Sequence, residues 1–305
     1  MILAENLVKR FGKNLAVDDL SLQIRRGETF GLLGPNGAGK TTTISMLIGL
    51  LKPDSGTIEI GDANSPRVGN PLGPLVRCGI GIAPQSLSLY GELTGRENLD
   101  FFGSLYGLAG RDLVSRRDWS LEFAGLSDRQ KDRVDTYSGG MKRRLNIAAA
   151  MMHEPSVLLL DEPTVGVDPQ SRNHIFESIG GLRSGGLTII FTTHHMEEAQ
   201  RLCDRVAIID HGKLLAIDTV DRLIEVHGGD SVVLAELQQP LDTRLLPQDF
   251  QVDQLEGCTL RFSSPNPLER VAQLSGLGVQ FQTLKVSRPD LESVFLKLTG
   301  RSLRD

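Results

Sequence analysis

Continuous apolar runs, rather than alternating ones, mark the predicted strands of this chain. Such runs are typical of strands that helices cover on both faces of a sheet. Stretches with helical periodicity separate them. The predicted strands are Thr29–Leu33, Ile80–Ala83, Val157–Leu160, Leu187–Thr192 and Val206–Ile209, and the predicted helices are Thr41–Leu51, Glu97–Phe123, Met141–Met152, Gln170–Leu182 and Met196–Cys203. This alternation predicts an α/β fold with a mainly parallel sheet.

Three other regions of the chain follow a different pattern. Residues 1–24 indicate short strands with a turn at residues 12–14, and residues 52–74 are rich in turn formers. Composition shifts near residues 227–230, and the sequence beyond alternates strand-like and helix-like segments. We therefore predict a large domain at residues 1–225 and a small C-terminal α+β domain at residues 226–305.

Composition excludes several classes of protein. The content of 40% hydrophobic and 23% charged residues is that of an ordinary globular chain, and the net charge of −5 argues against a role in binding nucleic acid. The three cysteines are far apart, so we expect a reducing compartment and no zinc site. Glu5 interrupts the N-terminal apolar stretch, and no run of about 18 apolar residues occurs, so any membrane role is expected to be peripheral.

A glycine-rich segment lies between the predicted strand Thr29–Leu33 and the helix that follows. It fits the phosphate-loop pattern G-x-x-x-x-G-K-[ST], in which backbone N–H groups and a helix N-terminus bind phosphate. Lys40 is expected to reach the β- and γ-phosphates, and the Thr41 hydroxyl is expected to ligate Mg²⁺. The candidate nucleotide-binding residues are Gly34, Pro35, Asn36, Gly37, Ala38, Gly39, Lys40, Thr41 and Thr42. A turn that binds nothing is the alternative, and GTPases, kinases and recombinases share this loop.

Two adjacent carboxylates, Asp161 and Glu162, end the predicted strand Val157–Leu160. The carboxyl ends of parallel strands are where such sheets present ligands. Asp161 suits the coordination shell of Mg²⁺, and Glu162 suits the polarisation of an attacking water. Solvated acids at a strand terminus are the alternative.

A Ser-Gly-Gly step at residues 138–140 precedes the carboxylate strand and is followed by basic residues. Together with the two motifs above, it resembles the signature of ABC ATPases, whose usual form is Leu-Ser-Gly-Gly-Gln. Tyr137 stands here in place of the Leu, and Met141 in place of the Gln. Two glycines let a backbone approach phosphate, and the helix that follows points its positive end there. The resulting candidate nucleotide-binding residues are Ser138, Gly139 and Gly140.

Four further positions follow the order of an ABC cassette. Phe11 resembles the aromatic residue that stacks on adenine, and Gln85 resembles the Q-loop glutamine, which senses Mg²⁺ and the γ-phosphate. Asp168 resembles the D-loop residue, which touches the opposite subunit. His194 resembles the switch histidine, and is preferred to His195 because it directly follows the Thr-Thr step at the strand end. Each position alone is more often an ordinary surface or core residue.

The resemblance covers about residues 1–220 and implies a P-loop NTPase fold. It implies an ABC cassette with an antiparallel N-terminal β portion and a helical subdomain at about residues 86–150. The implied cofactors are ATP and Mg²⁺; the implied metal residues are Thr41, Gln85 and Asp161, and the implied catalytic residues are Lys40, Gln85, Glu162 and His194. Two cassettes would meet head to tail and enclose two ATP molecules, each phosphate loop facing the partner's Ser-Gly-Gly step.

Three stretches, at residues 137–145, 193–199 and 291–300, are similar to an exporter branch that includes daunorubicin-resistance ATPases. That branch works with ABC-2 type permeases, so the resemblance implies an integral membrane permease, a second cassette, and a cytoplasmic location at the inner face of the cell membrane. The alternatives are the ATPase of an importer, a non-transport ABC ATPase acting on ribosomes or DNA, and an unrelated phosphate-loop kinase. The single uninterrupted cassette and the acidic balance favour a transporter that binds no nucleic acid.

Overall fold

The computed structural model describes residues 1–62, 65–69, 78–247 and 250–300. These residues form two compact units, one comprising Met1–Val220 and the other beginning at Asp221. This division between the two units lies a few residues before the domain boundary that was predicted between residues 225 and 226. Part of the turn-rich stretch predicted at residues 52–74 lies outside the described residues.

The first unit contains both strands and helices. In chain order its elements are β1 (Ile2–Phe11), β2 (Asn14–Ile24), β3 (Thr29–Leu33), α1 (Lys40–Leu47), β4 (Ser55–Asp62), β5 (Ser65–Gly69), β6 (Ile80–Ala83), α2 (Gly95–Leu105), α3 (Gly110–Phe123), 3₁₀ turns at Ser127–Arg129 and Val134–Thr136, α4 (Gly139–Ala150), β7 (Val157–Asp161), α5 (Pro169–Ser184), β8 (Thr188–Thr193), α6 (Met196–Leu202), β9 (Arg205–Asp210) and β10 (Lys213–Thr219). The short helix α7 (Val220–Leu223) and a π-turn at Ile224–Gly228 follow at the division.

A six-stranded sheet of order β10-β9-β3-β8-β7-β6 forms the centre of the first unit. Its strands are parallel except β10, which pairs antiparallel with β9. Every residue of β3 and β8 is buried, as continuous apolar runs predict. The predicted mainly parallel sheet is confirmed, and it aligns the carboxyl ends of β3, β7 and β8 along one edge.

The N-terminal strands form a separate antiparallel sheet of order β2-β1-β4-β5. Strand β2 buries Leu20, Leu22 and Ile24 in alternation, and also Val17, which lies beyond an irregularity in its pairing with β1. They join one apolar core with residues of α1 and the central sheet. The predicted antiparallel β portion is confirmed. Its apolar core packs this sheet against helix α1, which begins at Lys40.

Helices α2, α3 and α4 form the helical subdomain, with a core that includes Leu99, Leu121 and Leu145. The helical pattern predicted over residues 97–123 is divided between two helices, because the chain turns between α2 and α3. Gly107 and Gly110 adopt φ of 82° and 55° there, a left-handed conformation that favours glycine. Helical periodicity alone could not reveal this break, since both helices contribute apolar residues to the same core.

The second unit is a small α+β domain. Its elements are β11 (Ser231–Leu237), a 3₁₀ turn at Thr243–Leu245, β12 (Gln254–Glu256), β13 (Thr259–Ser264), α8 (Pro267–Gly276), β14 (Phe281–Ser287) and α9 (Leu291–Thr299). The strands form an antiparallel sheet of order β12-β13-β11-β14. Helix α9 buries Leu291, Val294 and Phe295, which fall at helical spacing on one face. In the part of the chain that the structure describes, no helix is both long enough and apolar enough to cross a bilayer.

A half-buried histidine, His153, connects the helical subdomain with the central sheet. The His153 ring stacks on Tyr106 with centroids 3.7 Å apart, and its Nε2 donates to the Ile80 carbonyl at 3.3 Å. Its Nδ1 is buried and has no hydrogen-bond partner among the described residues. Burial lowers the pKa of His153 below its ordinary value of 6.5, because a proton on Nδ1 would find neither water nor an acceptor.

We expect His153 to make the protein less stable in acid. Since its folded pKa lies below the unfolded value, the unfolded chain binds more protons as the pH falls below about 6.5, and stability declines. The melting temperature of the wild type should therefore drop more steeply between about pH 7 and pH 5 than that of His153→Gln, whose amide can still donate to Ile80. Burial also lowers the pKa of His174, but both proteins carry it. Parallel melting curves would contradict the expectation.

Candidate functional site

The glycine-rich loop between β3 and α1 closely fits the backbone around it. A Cβ at Gly34 would lie 2.2 Å from the Ile209 carbonyl oxygen, and one at Gly39 would lie 2.4 Å from the Ala16 carbonyl oxygen. Gly39 has a φ of 101° and precedes α1, whose N-terminus has no side-chain cap. The first N–H groups of α1 are thus left for a ligand, and an anion such as phosphate suits them.

Lys40 lies in the floor of this loop with only 6% of its surface exposed. Its Nζ donates to the carbonyls of Gly34 at 2.7 Å and Pro35 at 3.2 Å, and lies 3.6 Å from Oε1 of Glu162. Burial lowers the pKa of Lys40, and the nearby Glu162 carboxylate opposes that shift. The ammonium is therefore held inside the protein by the loop itself.

An open cavity of about 620 Å³ extends from the loop. Its volume falls in the range of sites for small ligands and cofactors. The lining residues are Phe11, Asn14, Leu15, Ala16, Pro35, Asn36, Gly37, Gly39, Lys40, Thr41, Thr42, Gln85, Glu162, Val165, His194 and His211. Phe11 is 51% exposed at this cavity, so a face of its ring is accessible to a planar base.

Glu162 is the point at which the predicted catalytic side chains meet. Its Oε2 accepts a hydrogen bond from Nε2 of Gln85 at 2.9 Å, and its Oε1 lies 3.2 Å from Nδ1 of His194. Its backbone has a φ of 45°, a strained conformation that is found disproportionately at functional sites. The N–H of Glu162 donates to the Thr192 hydroxyl at 2.9 Å, which stabilises the turn after β7. Three separate segments of the chain, which carry Lys40, Gln85 and His194, thus converge on one buried carboxylate.

The oxygen donors beside this cluster suit Mg²⁺. Asp161 is half-buried at the end of β7, where its Oδ1 accepts from the Thr192 hydroxyl at 2.6 Å. Thr41 and Gln85 line the cavity and add a hydroxyl and an amide oxygen. Among the described residues no three His, Cys, Asp or Glu side chains form a metal-binding group. One carboxylate with neutral oxygens still fits Mg²⁺, which relies on water and phosphate for its remaining ligands.

The other predicted nucleotide-binding residues lie on a second surface. Ser138, at the start of α4, accepts from the Met141 N–H at 3.2 Å, and Asp168, at the start of α5, accepts from the Ser171 N–H at 2.9 Å. Among the described residues that line the cavity, neither Ser138 nor Asp168 is found. A Cβ at Gly140 would lie 2.0 Å from the Ser171 hydroxyl, whereas a Cβ at Gly139 would have its nearest neighbour at 3.8 Å. Gly140 is therefore required by packing within the chain, and Gly139 is not.

Comparisons with known proteins agree with this geometry. A family model described as "ABC transporter" matches residues 17–165. The chain is 43% identical to the linearmycin resistance ATP-binding protein LnrL of Bacillus subtilis, with 100% of each chain covered. It is 40% identical to the daunorubicin resistance ATP-binding protein DrrA3 of Streptomyces coeruleorubidus, over 99% of this chain and 97% of that one. The chain belongs to the ABC transporter family of ATP-binding subunits.

A solved structure supports the same assignment. The ATP-binding subunit of an ABC transporter superimposes with a TM-score of 0.65 and 31% identity, covering 74% of this chain and 92% of that one. The present chain is an ATP-binding and ATP-hydrolysing subunit of an ABC exporter, in the branch that includes drug-resistance ATPases. As such a subunit it acts with a membrane permease and a second cassette.

Two residues that hold the Q-loop of this ABC subunit were not predicted. Arg143 is 5% exposed and donates to the carbonyls of Pro84 and Gln85, both at 2.8 Å. Asn146, one turn later on α4, accepts from the Ser88 N–H at 3.1 Å. Burial lowers the pKa of Arg143, and Asp161 and Glu162 oppose that shift. The spacing of Arg143 and Asn146 on one helical face was the available signal.

Replacing Arg143 by Met should lower kcat about tenfold with little change in the affinity for ATP. Without its two carbonyl contacts the Q-loop backbone loses its anchor, and small misplacements of a catalytic group are costly. The measurement is steady-state ATP hydrolysis together with an ATP titration. Lys142→Met, which removes the neighbouring charge on α4, is the matched control. A normal kcat in Arg143→Met would show that the Q-loop keeps its position without this anchor.

Proposed function

We propose that this exporter subunit closes on a second cassette when both bind ATP, and that the closure moves a separate ABC-2 type permease. In this proposal the chain acts in the cytoplasm, at the inner face of the cell membrane. The observation that carries the proposal is the convergence of Lys40, Gln85 and His194 on Glu162 beside an uncapped helix N-terminus. That arrangement suits the hydrolysis of a phosphoanhydride.

Hydrolysis is assigned to the same cluster. Glu162 accepts a proton from a water molecule, whose oxygen forms a bond to the γ-phosphorus as the bond to the β–γ bridging oxygen breaks, giving ADP and phosphate. Lys40 contacts the β- and γ-phosphates, and His194 holds the γ-phosphate next to Glu162. Thr41, Gln85 and Asp161 would hold Mg²⁺, which supplies positive charge against the phosphate oxygens when bound.

The second surface is assigned to the ATP of the partner cassette. Ser138, Gly139 and Gly140 stand at the N-terminus of α4, whose positive end favours an anion. The open space at Gly139 supports this assignment, because packing within the chain does not require glycine there. Asp168 and Gly166 lie at the same surface, as a D-loop that meets the opposite subunit would require.

Gly139→Ala should abolish ATP-dependent dimerisation while leaving the fold intact. The added methyl group meets only the Gly166 carbonyl oxygen at 3.8 Å within the chain, but it would stand between the backbone and a partner's phosphate. Dimerisation is measured by size-exclusion chromatography with ATP in a background that does not hydrolyse it. Gly180→Ala, in α5 and with nothing near its Cβ position, serves as control. A normal dimer would contradict the role of the Ser-Gly-Gly step.

The permease partner is tested by affinity purification of the tagged chain from detergent-solubilised native membranes. We expect a copurifying protein with several apolar segments of about 20 residues. The names of the linearmycin- and daunorubicin-resistance relatives support an exporter partner of this kind. Recovery of ribosomal proteins or DNA, without a membrane protein, would instead favour a non-transport ABC ATPase.

A further inference from the structure

A buried carboxylate outside the cavity connects two segments of the site. Glu198, in α6, is 4% exposed. Its Oε2 accepts hydrogen bonds from the Thr164 hydroxyl at 2.8 Å and from the Thr193 hydroxyl at 3.0 Å. Thr164 lies two residues after Glu162, and Thr193 lies directly before His194. Oε2 of Glu198 thus connects the segment that contains Glu162 with the segment that contains His194.

The Thr193 hydroxyl extends this connection to the backbone beyond the histidine. It accepts from the N–H of His195 at 2.9 Å while it donates to Glu198. The hydroxyl of Thr193 therefore restrains the residues on both sides of His194. A hydrogen bond to a charged group is stronger than a neutral one, so the carboxylate is well suited to restrain this turn.

The other oxygen of Glu198 has an incomplete partner. Its Oε1 and Nε of Arg172 are both buried, and within the described part of the chain neither has a hydrogen-bond partner. The two atoms lie 3.7 Å apart, beyond the usual hydrogen-bond distance of about 3.2 Å. Arg172 stands in the first turn of α5, four residues after Asp168. A shift of α5 by less than an ångström would convert this contact into a charge-assisted bond.

We infer that Glu198 is a positioning residue for ATP hydrolysis, which links the segment leading from Glu162 to the D-loop with the switch histidine. A displacement of α5 at the cassette interface would reach Glu198 through Arg172, and then reach His194 through Thr193. This inference rests on the roles proposed above for Glu162 and His194. Glu198 itself touches neither the cavity nor the γ-phosphate site, so it acts on the reaction only through the histidine.

The rival explanation is that Glu198 only anchors α6 to the core. In that case its removal would lower stability, and any loss of activity would be independent of His194. The two explanations differ in how substitutions combine, because residues that act in one pathway have non-additive effects. They also differ in the surroundings of the His194 ring, which a purely structural contact elsewhere in α6 would leave unchanged.

The test uses the full chain with Glu198→Gln, which keeps the shape of the side chain but removes its charge. The matched control is Glu197→Gln, an exposed neighbour in the same helix. We expect kcat to fall about 10- to 100-fold in Glu198→Gln, with ATP affinity unchanged, since a small misplacement of a catalytic group has effects of this size. The double variant with His194→Ala should be no slower than His194→Ala alone.

A second measurement needs no hydrolysis. The NMR signals of the His194 ring, assigned by their loss in His194→Ala, should shift in Glu198→Gln and stay in place in Glu197→Gln. The inference would be overturned if the His194 ring signals stayed in place in Glu198→Gln. It would also be overturned if kcat in the double variant fell by the product of the two single losses. If Glu198→Gln does not fold, Thr193→Val removes the same connection and must give the same result. A normal kcat in His194→Ala would instead refute the proposed role of the histidine, which distinguishes the two failures.

Discussion

Glu162→Gln should bind ATP, accumulate as an ATP-bound dimer and hydrolyse ATP about 10²- to 10⁴-fold more slowly than the wild type. The amide keeps the volume of the side chain but cannot accept the proton of an attacking water, and general-base catalysis has this magnitude. The substitution also removes the negative charge 3.6 Å from Lys40, so its ammonium is freer to contact phosphate. Phosphate release gives the rate, and size-exclusion chromatography with ATP gives the dimer.

The matched control is Glu177→Gln, an exposed glutamate of α5 that has no contact with the cavity. It should hydrolyse ATP at the wild-type rate and form no long-lived dimer. Wild-type turnover in Glu162→Gln would show that another group activates the water. His194 would then be the first candidate, because its Nδ1 lies 3.2 Å from the Glu162 carboxylate.

The sequence predicted those parts of the site that depend on local backbone geometry. The loop at residues 34–41 could be predicted because its glycines, the strand before it and the helix after it are adjacent in sequence. Asp161 and Glu162 could be placed at a ligand-binding edge because β7 is a buried parallel strand. In both cases the functional residues lie at or directly after the end of a strand, and the continuous apolar residues of that strand show where it ends.

Contacts between distant segments could not be predicted in this way. Arg143 meets the Q-loop across 58 residues of sequence, and Thr164 meets Glu198 across 34. Both Arg143 and Glu198 are charged residues in helices, where a solvated side chain is the usual expectation. Their burial depends on how α4 and α6 pack, and that packing is set by apolar residues elsewhere in each helix.

The break between α2 and α3 was missed for a related reason. Periodicity indicates which residues face a core, but two helices that face the same core continue one pattern. The positive φ of Gly107 ends the first helix, and a glycine in a helical stretch does not reveal whether it will adopt that conformation. The arrangement of the site was thus more predictable than the scaffold of the helical subdomain.

Lys40→Ala should weaken ATP binding about 10- to 100-fold and reduce hydrolysis accordingly. A hydrogen bond to a charged group contributes about 1.5–3 kcal/mol, and each 1.4 kcal/mol corresponds to a factor of ten in affinity. The loss should be large because the ammonium is already held at the phosphate loop by the carbonyls of Gly34 and Pro35. The measurement is a titration of the purified chain with ATP, with the melting temperature recorded in parallel.

Lys52→Ala is the matched control, since Lys52 is an exposed lysine that does not line the cavity. The contrast between the two variants separates a specific contact from a general loss of positive charge near an anionic ligand. Should Lys40→Ala retain wild-type affinity, the cavity beside Glu162 could not be the site that binds the phosphates. Should Lys40→Ala lose affinity while Glu162→Gln keeps it, phosphate binding would be assigned to Lys40 and hydrolysis to Glu162, because of these two side chains only the lysine contacts phosphate in the ground state.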